Sequence, residues 1–123
     1  MYNYSFQKLG LDYVYLAFDI KEEDTSKAIN ALRLLNVKGF NITMPGKTAA
    51  LSCCDELSKA AQLIGAVNTV VNENGKLIGH NTDGLGWVRN CREHGFEIRG
   101  KKMTIAGSGG AATAIEITSA LEG

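Results

Sequence analysis

The order of apolar and polar positions along this chain predicts an alternation of helices and strands. Residues 2–9 have the pattern of the tail of a helix that Gly10 ends, because glycine takes the left-handed conformation of a helix C-terminus without strain. Residues 13–20 are rich in aromatic and branched side chains and predict a buried strand. Asp24 and Thr25 offer an N-cap to a helix, and residues 37–44 predict the next strand. A strand, a helix and a strand in this order form a βαβ unit, which indicates an α/β fold with a largely parallel sheet.

The second half of the chain begins with short elements and ends on a strand, a turn and a helix. Residues 49–63 predict one or two short helices, with Asp55 as a cap. Residues 66–71 and 76–80 predict a hairpin around Asn74 and Gly75, which tolerate the positive φ of a type I′ turn. Three elements follow, and we expect them over residues 84–94 (helix), 103–106 (strand) and 111–121 (helix).

The composition and charge of the chain argue against several classes of protein. The chain has 123 residues, of which 45% are hydrophobic and 21% charged, as in an ordinary globular domain. Lys and Arg together number 13, as do Asp and Glu, so nothing favours nucleic acid or a membrane surface as a partner. No apolar run or secretory signal is visible, and the three cysteines make a poor disulfide framework. We therefore expect a cytoplasmic protein without a metal, with homodimer formation left open.

A glycine-rich turn is the first candidate for chemistry. It consists of Gly107, Ser108, Gly109, Gly110 and Ala111, which follow a predicted strand and open a predicted helix. In this context glycines allow a tight turn, and the helix N-terminus presents N–H groups to a dinucleotide pyrophosphate. The alternative is a flexible connection without a ligand. The residue that distinguishes NAD from NADP stands about 20 positions further on, so the sequence leaves both cofactors open.

Polar residues at the predicted strand ends are the second candidate. Thr43 lies near the end of one strand, Lys47 follows that strand, Asn68 lies in the next, and Asp83 follows the hairpin. Each has a simpler role when taken alone, such as a solvated lysine or a helix-capping aspartate. Ligands of open α/β sheets bind at strand ends, so their coincidence there favours a shared site. His80 is an alternative acid–base candidate, because imidazole exchanges protons near neutral pH.

Four motifs in this order resemble one family. Residues 39–47 (Gly-Phe-Asn-Ile-Thr-Met-Pro-Gly-Lys), 64–69 (Ile-Gly-Ala-Val-Asn-Thr), 79–84 (Gly-His-Asn-Thr-Asp-Gly) and 107–111 (Gly-Ser-Gly-Gly-Ala) are similar to the signatures of shikimate dehydrogenases. The details most resemble the quinate/shikimate dehydrogenase branch. The resemblance implies an α/β substrate domain over residues 1–95 and, over residues 96–123, the start of a Rossmann domain.

The resemblance also implies an activity and a set of roles. The activity is reduction of 3-dehydroshikimate to shikimate with NADP or NAD in aromatic amino acid biosynthesis, with quinate as a possible second substrate. Lys47 and Asp83 would be the catalytic pair, and Tyr15, Thr43 and Asn68 would complete the substrate pocket. Gly107 to Ala111 would hold the cofactor.

The chain also departs from the family pattern. The Ser-x-Ser segment that grips the substrate carboxylate is absent, as is the first strand, and little of the Rossmann domain is present. We therefore expect a front-half fragment of a protein roughly twice as long. Two other readings stay open: a non-catalytic substrate-binding or assembly fragment, and another Rossmann dehydrogenase acting on small acids.

Overall fold

The computed structural model describes all 123 residues as a mixed α/β structure. Its helices are α1 (Tyr2–Lys8), α2 (Thr25–Leu34), α3 (Lys59–Ile64), α4 (Asp83–Glu93) and α5 (Gly110–Glu122), with 3-10 turns at Glu22–Asp24 and Ala49–Cys53. Its strands are β1 (Gly39–Asn41), β2 (Glu56–Leu57), β3 (Thr69–Glu73) and β4 (Lys76–His80). None of the helices is both long enough and apolar enough to cross a membrane.

The sheet is built around the predicted hairpin. Strands β3 and β4 pair antiparallel, and the turn between them has positive φ at Asn74 (55°) and Gly75 (94°). Strand β1 adds antiparallel to β3, and β2 adds parallel to β4, so the strand order is β1-β3-β4-β2. The α/β class and the hairpin are confirmed. The sheet is mixed and not largely parallel, because its two central strands are joined by a tight turn that reverses the chain.

Two predicted strands, residues 13–20 and 103–106, are not formed. Neither segment takes part in any backbone–backbone hydrogen bond. A β-strand forms only where a neighbouring strand hydrogen-bonds to its backbone. A sequence rich in apolar and β-branched residues favours a strand but does not provide that neighbour. The βαβ unit expected from residues 13–44 is therefore wrong, although its second strand forms in part as β1.

The apolar core lies beneath the sheet. It contains Ile29 from α2, Val67, Val70 and Leu77 around the hairpin, and two alanines, Ala50 and Ala61. Leu77 and Val67 are fully buried. Leu77 anchors β4 in this core, and α4 begins three residues after β4 ends. The core therefore fixes the position of Asp83, the first residue of α4.

Arg33 and Asp55 connect α2 to the hairpin. Arg33 donates to Asp55 Oδ1 (3.1 Å), to the Gly75 carbonyl (3.2 Å) and to the Cys53 carbonyl (2.9 Å). The Leu77 N–H donates to Asp55 Oδ2 at 2.7 Å. That backbone hydrogen bond, and secondarily Arg33, lower the pKa of Asp55. The prediction that Asp55 caps a helix is wrong: Ser58 caps α3, its hydroxyl accepting from the Ala61 N–H at 3.2 Å.

Helices α4 and α5 cross at a glycine. A side chain at Gly84, the second residue of α4, would overlap the Ala114 carbonyl oxygen and the Thr118 hydroxyl of α5, and would lie 2.7 Å from Thr118 Cβ. Only glycine allows the two backbones this approach. The helix that begins with Asp83 therefore packs directly on the helix that begins at the glycine turn.

Candidate active site

Lys47 and Asp83 meet at the same end of the sheet. After β1 the chain turns through Pro45 and Gly46 to bring Lys47 beside β3, where its carbonyl accepts from the Val67 N–H at 2.9 Å. Asp83 is the first residue of α4, three positions after β4 ends. Lys47 Nζ lies 2.7 Å from Asp83 Oδ2, with side-chain exposures of 23% and 36%. The pair is thus an ion pair that solvent or a ligand can still reach.

Asn68 donates a hydrogen bond to Oδ1, the second carboxylate oxygen of Asp83. Its amide Nδ2 donates to Asp83 Oδ1 at 2.7 Å and to Thr82 Oγ1 at 3.1 Å, while its Oδ1 accepts from the Thr82 N–H at 3.0 Å. Asn68 is only 9% exposed. A buried polar side chain with all its groups paired is rigid, so the Asp83 carboxylate is held from both sides.

Asn81 fixes the backbone that carries Asp83. This side chain is 4% exposed; its Nδ2 donates to the Ala66 carbonyl at 3.1 Å, and its Oδ1 accepts from the Asp83 N–H at 3.1 Å. The second contact satisfies one of the free N–H groups at the start of α4. Asn81 thereby ties the loop after β4 to the segment before β3.

A chain of side-chain hydrogen bonds leads from this cluster to Tyr15. Thr69 Oγ1 donates to Asn68 Oδ1 (3.0 Å) and accepts from Asn41 Nδ2 (3.2 Å). Tyr15 Oη donates to Asn41 Oδ1 at 3.4 Å, and the Tyr15 ring stacks on Tyr2 with centroids 4.5 Å apart. Tyr15 therefore reaches the ion pair through Asn41, Thr69 and Asn68.

Thr43 does not join this network. It is exposed, and its hydroxyl makes no hydrogen bond in the structure. With Tyr15 it lines an apolar cavity of about 600 Å³ between residues 14–20, helix α2 and strand β1. The Lys47–Asp83 pair lies outside this cavity, and also outside a second one of about 690 Å³ that Trp87 and Gly107 help to line. The Lys47–Asp83 pair therefore lines neither of these two cavities, whereas Tyr15 and Asn41, which the hydrogen-bond chain connects to it, line the first.

The glycine turn has the features of a phosphate site. Helix α5 begins at Gly110 with Gly109 as its N-cap, and Gly107 has a φ of 143° that favours glycine. At Gly109 and Gly110 a Cβ would meet nothing within 4 Å, so the space beside the backbone is open. The first N–H groups of a helix have no acceptor within the helix. Residues 107–111 therefore fit the pyrophosphate of a dinucleotide.

The structure brings together most of the predicted site residues and adds others. Lys47 and Asn68 each contact Asp83 directly, and Tyr15 is linked to them indirectly. Asn41 and Thr69, which were not predicted, are paired across β1 and β3. Both residues lie in the motifs over residues 39–47 and 64–69, and this position was the available signal. Their contact depends on the strand register, which the sequence alone does not give.

Comparison with known proteins gives consistent matches. Residues 1–70 match the family model described as the shikimate dehydrogenase substrate binding domain. A curated protein of Listeria monocytogenes serotype 4b, named shikimate dehydrogenase (NADP(+)), is 54% identical over 123 residues, all of this chain and 42% of that protein. The chain thus spans less than half the length of this relative.

Two solved structures illustrate the range of similar folds. Shikimate 5-dehydrogenase from Listeria monocytogenes, in complex with shikimate and NAD, has a TM-score of 0.96 and 53% identity, over 99% of this chain and 42% of that one. The 5-ketofructose reductase of Gluconobacter sp. strain CHM43 has a TM-score of 0.91 and 39% identity, over 98% and 43%. The same fold therefore occurs in proteins named for different substrates.

Proposed function

The chain belongs to the shikimate dehydrogenase family, and from this membership we propose that it supplies the substrate side of an enzyme that reduces 3-dehydroshikimate to shikimate with a nicotinamide cofactor. The observation that carries the proposal is the 2.7 Å contact between Lys47 Nζ and Asp83 Oδ2. An ammonium and a carboxylate at this separation can serve one substrate hydroxyl together. Residues 1–95 then form the substrate domain, and residues 96–123 begin the nucleotide domain.

Lys47 is suited to move the proton. An ammonium has three donors, and Asp83 occupies one of them, so two remain for a substrate oxygen. In the direction of ketone reduction, Lys47 donates a proton to the oxygen as negative charge develops on it. In the reverse direction the neutral amine accepts the hydroxyl proton. General acid–base catalysis of this kind contributes about 10²–10⁴ in rate.

Asp83 and Asn68 orient the reacting hydroxyl. Asp83 accepts a hydrogen bond from that hydroxyl while Asn68 holds its other oxygen. Both N–H groups of the Asn68 amide already donate hydrogen bonds. The longer of these two bonds, to Thr82 Oγ1 at 3.1 Å, is the one that a substrate hydroxyl replaces. Tyr15 and Thr43 then contact the part of the substrate away from the reacting carbon.

Gly107, Ser108, Gly109, Gly110 and Ala111 hold the cofactor pyrophosphate in this proposal. When bound, the nicotinamide supplies or accepts the hydride. The name of the curated Listeria relative favours NADP, and the solved Listeria complex carries NAD. We further propose a cytoplasmic location, consistent with three free cysteines, and a homodimer, which sedimentation measures directly.

The test measures shikimate binding and cofactor reduction separately. We expect shikimate to bind the purified protein and perturb the amide resonances of Lys47 and Asp83. Turnover is followed by the absorbance of reduced NADP and NAD with shikimate and quinate, and in the opposite direction with 5-ketofructose. A folded protein that binds none of these compounds would refute the proposal. Binding of shikimate without reduction of either cofactor would leave only a substrate-binding module.

Lys47→Ala tests the role of the ammonium. We expect turnover to fall by about 10²–10⁴ while the affinity for shikimate changes much less. Lys76→Ala is the matched control, because Lys76 also forms an ion pair, with Glu56 at 2.6 Å, but beside the hairpin turn. Equal losses of affinity and turnover in Lys47→Ala would contradict proton transfer and indicate that Lys47 only positions the substrate.

A further inference from the structure

The hydrogen bonds between Tyr15 and Asp83 all run in one direction. The Tyr15 hydroxyl donates to Asn41 Oδ1, Asn41 Nδ2 donates to Thr69 Oγ1, the Thr69 hydroxyl donates to Asn68 Oδ1, and Asn68 Nδ2 donates to Asp83 Oδ1. Successive hydrogen bonds of this kind polarise one another, and the donor–acceptor distance shortens from 3.4 Å at Tyr15 to 2.7 Å at Asp83. That acceptor is the carboxylate that pairs with Lys47.

Thr69 stands at the centre of this chain. It lies opposite Asn41 in the β1–β3 register and directly follows Asn68 in sequence. Asn41 Nδ2 has no other protein acceptor, and the amide presents its oxygen to Tyr15 only while its nitrogen faces Thr69. Asn68 has a second anchor, since its Oδ1 also accepts from the Thr82 N–H at 3.0 Å.

We propose that Thr69 is a positioning residue of the substrate site, whose hydroxyl sets the orientation of the Asn41 and Asn68 amides. With Thr69 in place, Asn41 presents its oxygen to Tyr15, and Asn68 presents its nitrogen to Asp83. Without the hydroxyl, Asn41 keeps only the 3.4 Å hydrogen bond from Tyr15, and the Asn68 amide oxygen is held by the Thr82 N–H and hydroxyl alone. The consequence for substrate binding rests on the proposed function, whereas the orientation of the two amides does not.

Thr69→Val removes the hydroxyl and keeps the shape and β-propensity of the side chain. Because Asn68 keeps its Thr82 contact, we expect a moderate effect: the dissociation constant for shikimate rises about 5-fold, as for loss of one hydrogen bond. Thr69→Ser, which keeps the hydroxyl, should bind within about twofold of the wild type. Thr104→Val, an exposed threonine whose hydroxyl makes no hydrogen bond, is the matched control.

The same variants are compared by NMR without a ligand. In Thr69→Val, we expect the side-chain amide resonances of both Asn41 and Asn68 to shift, and in Thr104→Val neither. Unchanged resonances in Thr69→Val would overturn the proposal, whether or not shikimate binds. If the wild type binds shikimate, affinity in Thr69→Val within twofold of it, or an equal loss in Thr69→Ser, would also overturn it. If the wild type does not bind shikimate, the proposed function fails and the resonances alone decide the role of Thr69.

Discussion

The crossing of α4 and α5 predicts that Gly84→Ala strongly destabilises the protein. The added methyl group would overlap the Ala114 carbonyl oxygen, which belongs to a helix backbone and cannot turn aside, and would also overlap Thr118. Overpacking of this kind costs about 1–3 kcal/mol. The better helix propensity of alanine returns at most about 1 kcal/mol. We therefore expect a net loss of about 1–2 kcal/mol, and a fall in Tm of about 3–10 °C for a chain of this size.

Gly86→Ala is the control on the same helix. A Cβ at Gly86 meets nothing within 4 Å, so only the propensity gain remains, and we expect stabilisation of about 0.5–1 kcal/mol. Both variants can be followed in urea by the fluorescence of Trp87, the single tryptophan, which is half-buried in α4. If Gly84→Ala proves as stable as Gly86→Ala, the inferred contact between the two helix backbones is wrong.

Two further predictions concern the core and the acid range. Leu77→Ala should lower the free energy of unfolding, measured in urea, by about 2–5 kcal/mol, because Leu77 is fully buried. Leu34→Ala, at an exposed position, should lower it little, and similar losses in the two variants would contradict the assigned core. Asp55→Asn should lower stability near neutral pH. The pKa of Asp55 is lowered in the folded state. Its contribution to the free energy of unfolding is therefore complete above the ordinary carboxyl pKa of about 4, and it is lost as the pH falls through the lowered pKa. The variant should therefore lose less stability on acidification than the wild type, and an unchanged pH dependence would exclude Asp55 as a source of it.

Local patterns predicted those elements that form from local interactions. Asn74 and Gly75 specify the hairpin through their own backbone preferences, and the structure has positive φ at both. Helix α4 was likewise expected over residues 84–94 and is found at Asp83–Glu93. Lys47 and Asn68 each contact Asp83, as the grouping of polar residues expected, although the sheet that brings them together is mixed and not the largely parallel one assumed.

Elements that depend on distant partners were not predictable in the same way. Residues 13–20 have strand-like composition but no neighbouring strand, and they remain outside the sheet. Asp55 looked like a helix cap, but Arg33, 22 positions earlier, and the Leu77 N–H take its oxygens, so Ser58 caps α3. Asn41 and Thr69 are 28 positions apart in sequence, and only the pairing of β1 with β3 brings them side by side.

The backbone around the ion pair is hydrogen-bonded and largely buried. Val67 donates to the Lys47 carbonyl, Asn68 donates to the His80 carbonyl, and Ile42 donates to the Asn68 carbonyl. Val67 is fully buried and Asn68 nearly so. Amides in such a position exchange with solvent only through large unfolding events. The Lys47–Asp83 pair is therefore attached to a well-ordered part of the backbone, and we expect any opening that admits or releases a ligand to come from other parts of the molecule.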